Sequence, residues 1–182
     1  MNYFFSYVIS FFTDGILYII ILLPVYIFLR WLRLKKSIHS SISVPKEIVR
    51  AVFFVYLIML FTQTFIVNGG SHSIELIPFH VIIQQFKYCN TSYGLQAFVF
   101  NIIGNIGVFI PIGIILAYLF DSNIKKTVLH GCIISIFIEI VQIPLKRTTD
   151  IDDVILNTTG TIIGYFIYKI ISIIIKKRTA NK

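Results

Sequence analysis

The sequence predicts an all-α fold: a polytopic transmembrane helix bundle of about five spans, with its N-terminus outside and its C-terminus in the cytoplasm. Three observations carry that expectation. The 182 residues are 57% hydrophobic and only 13% charged, with a mean hydropathy of +0.86. The apolar residues fall into five long runs, and Lys and Arg are shared unevenly between the connections. A soluble fold of this length has too little interior to hide so much apolar surface.

The elements follow in order. Met1 to Phe12 have no basic leader and no small-residue cleavage site, so they are expected to remain as an aromatic lead-in lying at the membrane interface. Crossing the hydrocarbon takes roughly 20 apolar residues, and stretches near 11–30, 49–67, 97–120, 127–145 and 154–175 satisfy this. The connections 31–48 and 68–96 are too short and irregular for a core of their own. One integral membrane domain over residues 1–182 is therefore expected. Within the second connection, His80 to Phe86 is apolar but too brief to span, and reads as an interfacial lid. Gly104, Gly107 and Gly113 in the third span, and Gly160 and Gly164 in the fifth, are read as points of close helix approach. Pro24 and Pro111 predict bends within their spans, and Pro144 ends or bends the fourth. Two halves related by a repeat, as in many transporters, are not visible.

Charge sets the orientation. Arg30, Arg33, Lys35, Lys36, Lys46 and Arg50 follow the first span, Lys125 and Lys126 the third, and Lys169, Lys176, Lys177, Arg178 and Lys182 close the chain. The alternate side holds Lys87, Lys146 and Arg147 alone. Basic residues favour the cytoplasmic side, which puts the N-terminus outside. The net charge of +8 is thereby accounted for as a topology signal, which argues against nucleic-acid binding. Cys89 and Cys132 are too few for a disulfide framework and are expected to be free thiols.

The functional signal is a set of polar residues in segments that ought to be wholly apolar: Asn101, Asn105, Ser135, Glu139, Gln142 and Asn157, with Arg147, Asp150, Asp152 and Asp153 between the last two spans. A carboxylate at mid-membrane costs about 2.5–3.5 kcal/mol even on insertion scales, so such groups face a partner, a cavity or a ligand. Ser135, Glu139 and Gln142 recur at i, i+4 and i+7; Asn101 with Asn105, and Asp153 with Asn157, are i, i+4 pairs. Each set should share one face of its helix. In the expected orientation the polar groups of all three helices lie within roughly 12 Å of the outer surface. A polar pocket opening outward follows.

Four blocks of residues resemble the VanZ-like family: Ile74-Glu75-Leu76-Ile77-Pro78-Phe79; Asn101 and Asn105 followed by Phe109, Pro111 and Gly113; Ser135, Glu139 and Gln142; and Arg147, Asp150, Asp152, Asp153, Asn157, Gly160 and Gly164. They stand in that family's order, which makes 74–164 a VanZ-like core. The resemblance implies a small bacterial membrane protein of the plasma membrane, whose namesake is associated with resistance to teicoplanin-type glycopeptide antibiotics. It implies no established biochemical activity and leaves any cofactor open.

Each constellation has a structural and a functional reading. Glu139 is either a fastener between helices or a general acid, general base or proton carrier. Asp150, Asp152 and Asp153 either cap the helix they begin or serve as nucleophile or, with Glu139, as oxygen ligands for Mg²⁺ or Ca²⁺; no metal is assigned. Arg147 either pairs with Asp150 or holds a phosphate or carboxylate of a ligand through its planar fork. Asn101, Asn105 and Asn157 either bridge helices or line the pocket. The leading expectation is a pocket binding the head group of a membrane lipid, a lipid-linked wall precursor or a glycopeptide-type antibiotic, with Arg147, Asn101, Asn105, Gln142, Asp152, Asn157 and Ser135 as binding residues. The alternative is a membrane-embedded hydrolase or transferase using Glu139, Asp150 and Asp153 as catalytic groups, and a proton-coupled transporter ranks last.

Overall fold

A computed structural model describes residues 9, 13, 15–36, 43–66, 73–120, 123–145 and 148–180. Its secondary structure is almost entirely helical, as the composition predicts. In order it contains α1 (Ile16–Lys36), α2 (Val44–Ile66), β1 (Ile74–Glu75), α3 (His80–Tyr88), α4 (Ser92–Phe98), a wide π-type turn (Val99–Ile103), α5 (Gly104–Phe120), α6 (Ile124–Gln142), a 3₁₀ turn (Ile143–Leu145), β2 (Thr149–Asp150) and α7 (Ile151–Ala180). Among the described residues, four helical stretches are long and apolar enough to cross a membrane: Ile16–Lys35, Ser92–Phe120, Ile124–Leu145 and Ile151–Ala180. The expected span at 49–67 falls on α2, a helix of 23 residues whose charges, Lys46, Glu47 and Arg50, lie near its start. The lead-in at residues 1–8 and 10–12 lies outside the described residues.

The chain divides into two compact units, 1–69 and 70–182. In the first, α1 and α2 run antiparallel, as three contacts at successive heights establish. Arg30 pairs with Glu47, Tyr26 stacks on Phe54 with ring centroids 4.4 Å apart, and Gly15 lies against Met59 and Thr62.

In the second unit, α5, α6 and α7 pack around Phe109, Ile112, Leu116, Ala117, Ile138 and Leu156, all buried. The outward faces carry bare Ile, Leu and Phe, including Ile133, Phe137, Ile140, Phe166 and Ile170. An apolar exterior of this kind suits lipid as the surrounding solvent. Without a hydrophobic drive between helices in lipid, association depends on close packing and polar contacts, and α5 and α7 achieve the closest approach. A Cβ on Gly164 would stand 2.1 Å from the Ile110 carbonyl oxygen, one on Gly160 2.2 Å from that of Ile106, and one on Gly113 2.2 Å from that of Thr161. Thr161 is also the wedge against α6, where a Cβ on Gly131 would lie 2.3 Å from its Oγ1.

Two of the expected close-approach glycines do not serve that purpose. Gly107 faces open space, with no atom within 4 Å of the place a Cβ would take, and Gly104 meets only the Val99 carbonyl at 3.7 Å. Gly131, in step with Thr127 and Ser135 on α6, takes their place because its partner, Thr161, is fully buried. The helix continues through Pro111, while α6 gives way to a 3₁₀ turn at Ile143, one residue before Pro144, as a missing amide donor requires. Cys89 and Cys132 are free.

Gly164→Val should destabilise the second unit by about 1–3 kcal/mol, because the obstructing atoms are backbone and cannot swing aside. Gly107→Ala should be neutral or slightly stabilising through better helix propensity. Thermal melts of the purified protein in detergent check both, and equal losses for the two variants would contradict this packing.

Candidate functional site

The junction between α6 and α7 is built by four carboxylates, each given a different task. β2 pairs in parallel with β1, Thr149 opposite Ile74 and Asp150 opposite Glu75, so the segment leaving α6 is fixed against the segment entering α3. Glu139, buried on α6, accepts the Asp150 backbone N–H at 3.0 Å through Oε2. Asp150 then caps its own helix, its Oδ1 accepting the Asp152 N–H at 2.9 Å, the bond an N-cap residue makes to the first turn. Asp152, 1% exposed, reaches across to α3 and accepts the Phe79 N–H and, at 3.0 Å, the Ile82 N–H. Asp153 accepts from Asn105 Nδ2 at 2.5 Å, tying α7 to α5.

The cap on α3 resolves a local difficulty. Phe79 precedes that helix in the left-handed region, with φ 65° and no side-chain cap from its own neighbourhood, a conformation that costs a bulky residue of order 1–3 kcal/mol. A carboxylate delivered from α7 satisfies two of the orphan amides and complements the helix dipole. Beside it, His80 Nδ1 lies 3.3 Å from Glu75 Oε2, and His80 Nε2 is 2.9 Å from Gln84 Nε2. The segment expected to lie as a lid is thus a real helix with no buried residue.

One turn inward from the junction, Asn157 on α7 donates from Nδ2 to Ser135 Oγ on α6 at 2.9 Å, and Thr161 donates to the Asn157 carbonyl at 3.1 Å. Thr127, Gly131, Ser135, Glu139 and Gln142 are all buried, so the i, i+4, i+7 face read from the sequence is the face of α6 turned to the interior. Several polar atoms here have no hydrogen-bond partner among the described residues: Gln142 Oε1, Asn157 Oδ1, Thr149 Oγ1 and Thr158 Oγ1. Buried polar atoms are paired in the great majority of cases, so such a cluster calls for an explanation.

The structure therefore brings together Asn105, Ser135, Glu139, Gln142, Asp150, Asp152, Asp153 and Asn157. It does not bring Asn101 with them. Asn101 is exposed and lies in the π-type turn, where the Gly104 N–H bonds to the Val99 carbonyl five residues back. The extra residue per turn breaks the i, i+4 stacking on Asn105. Arg147, the expected anion holder, lies outside the described residues. The oxygen-ligand arrangement also fails: among the described residues no three Asp, Glu, His or Cys side chains converge to hold a metal ion, because the carboxylates are directed at separate backbone and amide donors.

Asp150 is the acid whose environment works against its charge. Burial pushes its carboxyl above the ordinary value, nearby Asp152 and Glu75 add to that, and the Asp152 N–H and His80 oppose it. A folded-state value above the unfolded one means that this residue's contribution to stability is complete below the unfolded pKa, about 3.9, and is lost as pH rises through the folded pKa.

A family model described as VanZ/LLP1 matches residues 48–172, more than half of the chain. The chain belongs to the VanZ/LLP1 family. The match opens within α2, ahead of the Ile74 block, and runs through every element of the junction, so this is a VanZ-like membrane protein in which the four sequence blocks meet at one place. No curated protein and no solved structure matches it.

Two outcomes test this geometry. Asp150→Asn keeps an oxygen for the Asp152 amide and should remove the share of the loss in melting temperature that the raised Asp150 pKa predicts as pH rises above about 4; an unaltered pH profile would contradict it. Asp152→Ala should strip protection from the Phe79 and Ile82 amides in hydrogen exchange and cost about 1–3 kcal/mol, leaving α7 amides beyond Gly160 unaffected.

Proposed function

We propose that the Glu139–Gln142–Asn157 cluster is a receptor for the polar head of an amphipathic molecule: a membrane lipid, a lipid-linked wall precursor or a glycopeptide-type antibiotic. The observation that carries this reading is the set of buried polar atoms without a partner among the described residues, Gln142 Oε1, Asn157 Oδ1 and Thr149 Oγ1, on the elements that also carry the buried Glu139. In a low-dielectric interior an unsatisfied polar group costs several kcal/mol. A head group rich in hydroxyl or amine donors offsets that cost by occupying them, and its hydrocarbon tail has the bare Ile and Phe faces beside the site to lie along.

In this reading the chain crosses a bacterial plasma membrane five times, α2 included, with its N-terminus outside, as the basic loops favour. The junction then sits at the outer leaflet, where wall precursors and glycopeptides are encountered. Arg147, next to β2 in sequence, supplies a cation for a phosphate or carboxylate on the same ligand. The structural duties of Asp150, Asp152 and Asp153 favour binding over nucleophilic chemistry, since each carboxylate is committed to an amide donor.

The test is binding of defined ligands to the purified protein by native mass spectrometry. Gln142→Ala combined with Asn157→Ser should weaken the preferred head group by about ten- to a hundredfold, the loss expected for one or two buried hydrogen bonds, with the fold retained. Undiminished binding in that variant would overturn the proposal. A lipid intermediate accumulating in cells that carry Glu139→Gln would instead make the site catalytic.

A further inference from the structure

The first unit contains a feature that the junction does not explain. Where α1 and α2 close on each other, Tyr26, Ile27, Arg30, Trp31, Leu34, Glu47 and Ala51 line a cavity of about 240 Å³. At its rim Glu47 is held by two arginines. Arg30 binds it as a fork, Nε to Oε2 and Nη2 to Oε1, both at 2.7 Å, and Arg50 Nη1 bonds the same Oε1. All three side chains are only one-fifth to one-third exposed.

The charges of this triad do not balance. Two guanidinium groups share one carboxylate, which leaves one positive charge beside an apolar cavity in a helix pair flanked by Arg33, Lys35 and Lys46. The Lys35 ammonium sits over the ring of Trp31, a residue of the cavity wall, at 5.2 Å from its centroid. Glu47 engages Arg30 through two nitrogens and Arg50 through one. A buried or half-buried ion group of this kind is stable when the surplus charge meets a counter-ion. Apolar, aromatic walls disfavour a hydrated inorganic anion in the cavity itself. What fits both halves is one molecule with a singly negative phosphodiester and a hydrocarbon chain.

We infer that the α1–α2 pair carries a binding site for an anionic phospholipid, with the phosphate at Arg50 beside the Arg30–Glu47 pair and the upper acyl chain in the cavity between Tyr26, Trp31 and Leu34. Arginine suits the phosphate because its planar fork offers paired donors, and basic pockets between membrane helices are a recurring way of holding acidic head groups. The site is independent of the head-group receptor at the α6–α7 junction. Its role follows from its position: it binds together two helices whose own contacts are few.

The full-length protein, purified in a mild detergent, is melted with added phosphatidylglycerol, phosphatidylcholine or inorganic phosphate. Phosphatidylglycerol should raise the melting temperature by several degrees, while phosphatidylcholine and inorganic phosphate should have little effect. Arg50→Ala should abolish the difference. Ala51→Phe, which fills the cavity and leaves every charge in place, should abolish it as well, and separates loss of the chain site from loss of the fold because its melting temperature without lipid should not fall. Native mass spectra should show one phosphatidylglycerol retained by the unsubstituted protein and none by either variant. Equal stabilisation by the two lipids, stabilisation by inorganic phosphate alone, or full retention of the lipid by Ala51→Phe would each overturn the inference.

Discussion

Inside a bilayer a backbone amide has no water to turn to, and in a helical protein this rule bears hardest on the place where one span ends and the next begins. In this chain the critical place is the turn from Thr149 to Asp153. Its amides and carboxylates are coupled to every neighbouring element: Glu139 receives the Asp150 N–H, Asp150 receives the Asp152 N–H, Asp152 receives two amides of the α3 start, and Asp153 receives the Asn105 amide. Remove that turn and α3, α5 and α6 lose their common anchor, while the packing of α5 on α7 through Gly113, Gly160 and Gly164 would survive by itself.

The four blocks that point to the VanZ/LLP1 family acquire a physical meaning from this arrangement. The Ile74–Phe79 block contributes a strand and a left-handed N-cap; the Asn105–Gly113 block contributes an amide donor and a close-approach glycine. The Ser135–Gln142 block contributes the polar face of α6, and the Asp150–Gly164 block the turn and its helix. They are four parties to one junction. Their spacing in sequence reflects helix lengths needed to bring them to the same height.

What is legible in the sequence follows from periodicity, and what is not follows from long range. Ser135, Glu139 and Gln142 can be placed on one buried face because the α-helical repeat of 3.6 residues is regular over that stretch. The same rule misplaces Asn101, because the π-type turn between it and Asn105 leaves no mark in composition. The Asp cluster is recognisable as a helix cap, but only Asp150 caps the helix it begins. Asp152 caps α3, more than 70 residues earlier in sequence, and such a partnership has no local pattern. Gly131 stands in step with Thr127 and Ser135 in the sequence, but its partner, Thr161 on another helix, has no local pattern. Arg30 and Arg50 read as topology signals in the sequence, and their convergence on Glu47 emerges only when α1 and α2 are paired.

The central claim is that the Thr149–Asp153 turn works as one cooperative clamp rather than as a set of independent contacts. A double-mutant cycle between Glu139→Gln and Asp152→Asn measures this most directly, because the two side chains bind different partners and meet only through the turn. Residues joined in one network show coupling of about 0.5–3 kcal/mol, whereas independent sites add within about 0.5 kcal/mol. The clamp predicts that the double variant is destabilised by clearly less than the sum of the two single ones. Strict additivity would contradict it.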